Sequence, residues 1–283
     1  MGSFSIKESN KRRRKKQLME LSNVLEGKEV KHNGETLYVI ERTLPELPIE
    51  PLTSEVRNSS QYLTPENIAR TFPDCLAYNI QKANPRTMED ILFIDIETRG
   101  LAHKHPIFLI SLGQYVEGGM KLTSLFARDY SEEKPILSYF LEMLHNSSSQ
   151  VTFNGRSFDL PHISKRAQNK GLMINGYKYR ELGDVLRDTH VDLIDYYDGG
   201  LQNTEKLSLA FIRKGDISGA AIPEIYRKYV YNQGNQKDLF LKVNGIVTHN
   251  MIDVASLGAL FAKMCKDSAI KGNGAKESYP LAA

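Results

Sequence analysis

Cysteine is scarce in this chain. Among 283 residues there are two, Cys75 and Cys265. They are too few and too far apart for a disulfide framework or a cysteine-based zinc site. That scarcity fits a reducing compartment, and the expected location is cytoplasmic. No apolar run in the sequence approaches the length that spans a bilayer. The N-terminus is basic, but no hydrophobic segment follows it, so it does not read as a secretory signal. No internal repeat is visible, and no glycine-rich phosphate loop of the P-loop type is present.

What is present is ordinary for a soluble globular protein: 41% hydrophobic and 25% charged residues. The net charge of +3 hides an asymmetry. Lys11 to Lys16 (KRRRKK) carries six positive charges, and with those set aside the rest of the chain is net −3. Such a run either meets phosphates, releasing counterions, or is a solvated tail or localisation-like segment. On this pattern residues 1–30 form a basic N-terminal arm with a short amphipathic patch around Leu18 to Leu25.

Residues 31–88 read as an appended segment. GETLYVIERTL alternates as a short strand or hairpin, and Thr64-Pro65-Glu66 is a helix start. From residue 89 the pattern changes. ILFIDIET (91–98) is an apolar, β-branched run of the kind buried on both faces of a sheet. A second run covers 105–116, Gly118-Gly119 marks a hairpin turn, and MKLTSLFA continues as a third strand. A helix over EEKPILSYFLEMLHN, a strand at 150–153, a helix at 159–171 and a short strand near 191–194 follow. Leu207 to about Lys266 is mostly helical, and 267–283 reads as a flexible tail. The expected fold is α/β: a mixed sheet of three antiparallel strands plus parallel ones, flanked by helices.

Side chains alternate along a strand, so Asp95 and Glu97 emerge on one face. Two carboxylates so placed repel each other, and burying them is costly unless a cation neutralises the pair. A divalent metal held by oxygen ligands does this. Two further acidic stretches qualify as partners. In VTFNGRSFDLPHI, Asp159 opens a helix after a strand and a turn; taken alone, it is a helix cap. In THNMIDVASLGALFAKM, His249 and Asp253 stand four apart on one helix face; taken alone, they are a surface helical pair.

As an ordered set, FIDIET, TFNGRSFDLPHI, HVDLID and HNMIDVASL resemble the YprB-like branch of the ribonuclease H-like fold. That branch is itself similar to the DnaQ-type exonucleases named for four acids, DEDD. AAIPEIYRKYV (220–230) adds to the likeness, which covers roughly residues 36–265 and is closest from 89 onward. The resemblance implies a ribonuclease H-like domain over 89–266 and a metal-dependent nuclease, acting as a 3′–5′ exonuclease with two Mg²⁺ or Mn²⁺ ions. Its metal-binding acids fall on Asp95, Glu97, Asp159 and Asp253, and its acid–base position falls on His249. Asp95 is then the bridge between two ions, with Glu97 and Asp253 on one and Asp159 helping the other. In the DnaQ-type enzymes with histidine, that residue stands five before the last aspartate; a tyrosine variant places its residue four before. Here a histidine holds the tyrosine spacing, a large rotation on a helix.

The implied partner is nucleic acid, DNA or RNA, with no membrane. Arg156 is a candidate phosphate contact, and Asp192 reads as a structural acid. Tyr196, Tyr197 and Tyr231 are candidates to stack on bases, whereas Tyr226 and Tyr229 read as core. The alternative to a nuclease is a catalytically inactive nucleic-acid-binding protein of the same fold. Against it stand four intact acids, a cost without a metal.

Overall fold

The computed structural model describes residues 18, 20–47, 49–72, 88–117, 119–173, 182–186 and 189–272. The Lys11–Lys16 run, Cys75, Gly118 and the segment after Gly272 lie outside them. Seven strands form one mixed sheet: β1 (Lys28–His32), β2 (Glu35–Thr43), β3 (Ile91–Thr98), β4 (Ile107–Val116), β5 (Gly119–Phe126), β6 (Ser149–Thr152) and β7 (His190–Asp192). Their order across the sheet is β1-β2-β5-β4-β3-β6-β7. All pairings are antiparallel except β3–β6 and β6–β7.

The local reasons are plain. Asn33 and Gly34, both at positive φ (49° and 78°), form the two-residue turn that matches strand twist and joins β1 to β2. Strand β4 is buried from Ile107 through Gly113, so both faces of the sheet centre are covered. Helices α1 (Glu50–Ser59) and α2 (Pro65–Thr71) follow β2, and Thr64 caps α2 by accepting the Asn67 N–H at 3.3 Å. Helix α3 (Glu133–Asn146) packs on β2 and β4. Next come α4 (Asp159–Asn169), α5 (Leu182–Val185), α6 (Leu201–Ser208), α7 (Ile222–Val230) and α8 (Gln236–Gly272).

Helix α8 has 37 residues, about 55 Å at the usual rise. It packs on β3, β4 and β5 and is wrapped by α1, α2 and α7, which explains why it is buried all round from His249 to Ala262. By length and composition it could cross a membrane, against the expectation from the sequence; yet 89% of its most apolar window is buried inside the fold. Its approach to the sheet is close. A Cβ on Gly113 of β4 would sit 2.6 Å from Val254, and one on Gly258 of α8 would sit 2.6 Å from the sulfur of Met120. Phe261 stacks on Phe72 with centroids 4.7 Å apart and meets Phe93 of β3 edge-on at 5.5 Å. Tyr226 and Tyr229 are core, as expected; Tyr226 stacks on Phe108 at 3.8 Å and donates to the Ala127 carbonyl.

The boundaries expected near residues 30, 88 and 266 do not follow breaks in the fold. Strand β1 starts at Lys28, Leu21 and Leu25 are core residues, and β2 pairs directly with β5. Lys266 reaches back to Glu55 of α1 at 3.6 Å, and α8 continues through 267–272. Because Phe261 ties α2, α8 and β3 together, Phe261→Ala is expected to lower the unfolding free energy by about 3–5 kcal/mol. Urea denaturation followed by circular dichroism measures this; a loss below 1 kcal/mol, by the same order-of-magnitude scale, would show that the three elements are not coupled.

Candidate metal and nucleic-acid site

Strand β3 outlasts its parallel neighbour. Pairing with β6 ends at Phe93↔Val151, while pairing with β4 continues to Thr98. Beyond Phe93, β3 therefore has one free edge, and the chain after β6 turns to meet it. Asn154, at φ 63°, makes that turn. Its N–H and that of Arg156 donate to the Asp192 carboxylate at 2.6 and 2.9 Å. Asp192 is thus spent on fixing the turn from the end of β7. Helix α4 then begins, and Asp159 in its first turn accepts a hydrogen bond from the Ile96 N–H, between the two β3 acids in sequence. Ligand sites in α/β sheets form at such strand ends.

From the other side, α8 presents His249, Asn250 and Asp253 on one stripe. Asn250, fully buried, donates from Nδ2 to Asp95 Oδ2; its Oδ1 has no partner among the described residues. His249 Nε2 lies 3.4 Å from Asp253 Oδ2 and 4.0 Å from Glu97 Oε1. The histidine at tyrosine spacing therefore does face the acids. Asp95 and Asp253 line one cleft of about 380 Å³ with Phe153 and the start of α6, Gly200 to Asn203. The structure thus brings Asp95, Glu97, Asp159, His249 and Asp253 together.

Arg156, the candidate phosphate contact, forms an ion pair with Asp195 at 2.7 Å, so a phosphate would compete for it. The loop between α6 and α7 supplies residues that sequence reasoning missed. Arg213 donates to Glu205 and to Asp253 Oδ1, and its Nη1 lies 3.2 Å from Asp216. Asp216 in turn meets His249 Nδ1 at 2.8 Å. The nearest signal in the sequence is the Arg213–Asp216 spacing, which on a loop reads as solvated charge.

Electrostatics define what this cluster can hold. Desolvation, then Asp253, Asp159 and Glu97, pushes the Asp95 carboxyl well above its usual range, with Arg213 pulling the other way. Glu97 is raised by desolvation and then by Asp253, Asp159 and Asp216. Asp159 is pushed up to about 7, chiefly by burial, with the Ile96 N–H among the groups opposing the rise. Burial works against the charge on Arg213, but Glu205 and Asp253 hold its pKa above the usual value. One guanidinium does not offset so many carboxylates. Glu97, His249 and Asp253 each bring one ligand atom within 4.8 Å of the others. Mutually repelling oxygen donors with one imidazole suit a hard divalent cation.

A family model described as the RNase H superfamily matches residues 92–265, more than half of the chain. The chain belongs to the RNase H superfamily. Within it, the YprB-like family expected from the motifs is supported by a curated relative, "Uncharacterized protein YprB" of Bacillus subtilis (strain 168). The two are 25% identical over 193 residues, 66% of this chain and 45% of that protein. The chain thus spans under half the length of that relative. Among solved structures, the family B DNA polymerase from the hyperthermophilic archaeon Pyrobaculum calidifontis is similar with a TM-score of 0.47 and 17% identity. That likeness covers 64% of this chain and 25% of the polymerase.

Two outcomes follow from the electrostatics. Millimolar Mn²⁺ is expected to raise the melting temperature by several degrees, EDTA to reverse this, and Asp95→Asn to abolish the rise while melting no lower than wild type in EDTA. Differential scanning calorimetry decides it. The second concerns pH. Because Asp159 sits at about 7 against an ordinary 3.8, its contribution to stability is full below the ordinary value and is lost as pH rises through about 7. In EDTA, Asp159→Asn should remove that component of the decline in stability with rising pH, read from urea melts across the range.

Proposed function

We propose that this protein is a metal-dependent nuclease that releases nucleotides from the 3′ end of DNA or RNA, using two Mg²⁺ or Mn²⁺ ions. The observation that carries this reading is the meeting of the β3 acids with Asp159 and with the His249–Asp253 face of α8. Asp95, Glu97, Asp159 and Asp253 are the residues that would hold the ions. Ions held there supply positive charge opposite the phosphate oxygens and acidify the attacking water.

The chain's own residues do the rest. His249 directs Nε2 into the acid cluster, where a neutral imidazole can accept a proton from water as the phosphodiester is attacked. Arg213 holds one oxygen of Asp253, leaving Oδ2 on the side of His249. Asn250 fixes the orientation of Asp95. Phe153 and the start of α6 form the wall of the cleft beside these acids, where the last nucleotide of a strand is received. Intact acids that repel one another without a cation favour turnover over binding alone.

The test is an oligonucleotide labelled at its 5′ end, incubated with Mg²⁺ or Mn²⁺. A ladder of products shortening from the 3′ end is expected, with EDTA stopping it. Asp95→Ala and Asp253→Ala should each reduce the rate by at least about 10²-fold, since groups that act as a unit fail together. An Asp95→Ala protein that cleaves at the wild-type rate would sink the assignment. Binding without any metal-dependent cleavage would favour the non-catalytic alternative.

A further inference from the structure

We propose that Asp216 is a positioning residue for His249: it fixes the imidazole with the proton on Nδ1, so that Nε2 faces the acids as a lone pair. This rests on the nuclease reading for its consequence, but not for its geometry.

An ionised carboxylate only accepts. Both oxygens of Asp216 lie 2.8 Å from His249 Nδ1, so Nδ1 must be the donor. In a neutral ring Nε2 is then unprotonated. Left without Asp216, the ring would have a competing choice: Nε2 already lies 3.4 Å from Asp253 and 4.0 Å from Glu97, two acceptors that favour a proton on Nε2. That tautomer has no lone pair to offer a water. Asp216 therefore decides between a ring that can take a proton and one that cannot.

Asp216 is itself held on every side. Its Oδ1 accepts the Ile217 N–H at 2.8 Å, and its Oδ2 lies 3.2 Å from Arg213 Nη1. Arg213 is anchored by Glu205, with Nε 2.9 Å from Oε2, and Glu205 accepts from Ser256 of α8. The circuit runs from Ser256 of α8 to α6, out along the loop and back to α8 at His249, about two turns from where it began. The loop leaves α6 through Ala210 at φ 50°, a left-handed conformation uncommon for alanine. One guanidinium thus steadies both the aspartate behind His249 and the aspartate in front of it. Among second partners of this kind, loss typically costs 10- to 100-fold in function.

The experiment compares the full chain with Asp216→Asn, an isosteric change whose amide can turn its NH₂ toward Nδ1 and permit the wrong tautomer. With ¹⁵N-labelled histidine, long-range ¹H–¹⁵N correlation on the metal-free protein is expected to show His249 protonated on Nδ1 in wild type. In the variant it should show a mixture or the Nε2 form. On an oligonucleotide in Mg²⁺, kcat is expected to fall on the order of 10²-fold, with KM changed little. Asp216→Glu, which keeps a carboxylate, should restore the Nδ1 tautomer and most of kcat, separating positioning from a general loss of fold. A wild-type ring protonated on Nε2, or a variant with mixed tautomers and unchanged kcat, overturns the proposal. If wild type shows no metal-dependent cleavage, the nuclease reading fails, while the tautomer measurement still decides whether Asp216 sets the proton.

Discussion

Helix α8 can carry His249, Asn250 and Asp253 to the β3 acids only because nothing bulky holds it away from the sheet. Gly113 and Gly258 leave room for Val254 and Met120, and Phe261 locks against Phe93 on the same face of β3 as Asp95 and Glu97. Close packing of this kind is unforgiving, since interiors approach the density of crystals. An added methyl group on Gly113 would press on Val254 of α8, and so on the helix that carries His249, Asn250 and Asp253. The geometry of the site is therefore a property of core packing, not of surface loops.

That packing forces like charges together. Asp95, Glu97 and Asp159 are all driven toward the neutral form by desolvation first and then by neighbouring carboxylates, Asp253 among them in each case. Backbone N–H groups at Ile96 and in the 154–156 turn, Asn250 and Arg213 each offset part of the cost. The remainder is a standing preference for a cation. The turn held by Asp192 shows how far the fold goes to maintain it: the carboxylate at the end of β7 braces the turn that leads from β6 to Asp159.

Much of this was legible in the residues. Alternation along ILFIDIET placed Asp95 and Glu97 on one face, and the spacing of His249 and Asp253 placed them on one helical stripe. Asp159 alone looked like a cap, and it became a site residue only through the ordered set of motifs. Asn250 was hidden because α8 is buried all round, so no polar face marks it. Glu205, Arg213 and Asp216 were hidden for a different reason: their partners lie far along the chain, and a charged loop looks solvated until folded. The pairing of β2 with β5 was hidden because no local pattern announces a register such as Val39↔Leu125.

The wrapping of α8 has a consequence for the order in which the protein can be made. Helices α1 and α2 are made well before α8, yet the surface they bury belongs to that later helix. Until α8 follows, α1 and α2 must wait with that surface uncovered, and contacts so distant in sequence form slowly. Asp95 is translated long before Asp253. A nascent chain thus holds its first acids without the partner that completes the cluster, and cannot gather the full set of cation ligands until α8 has been made.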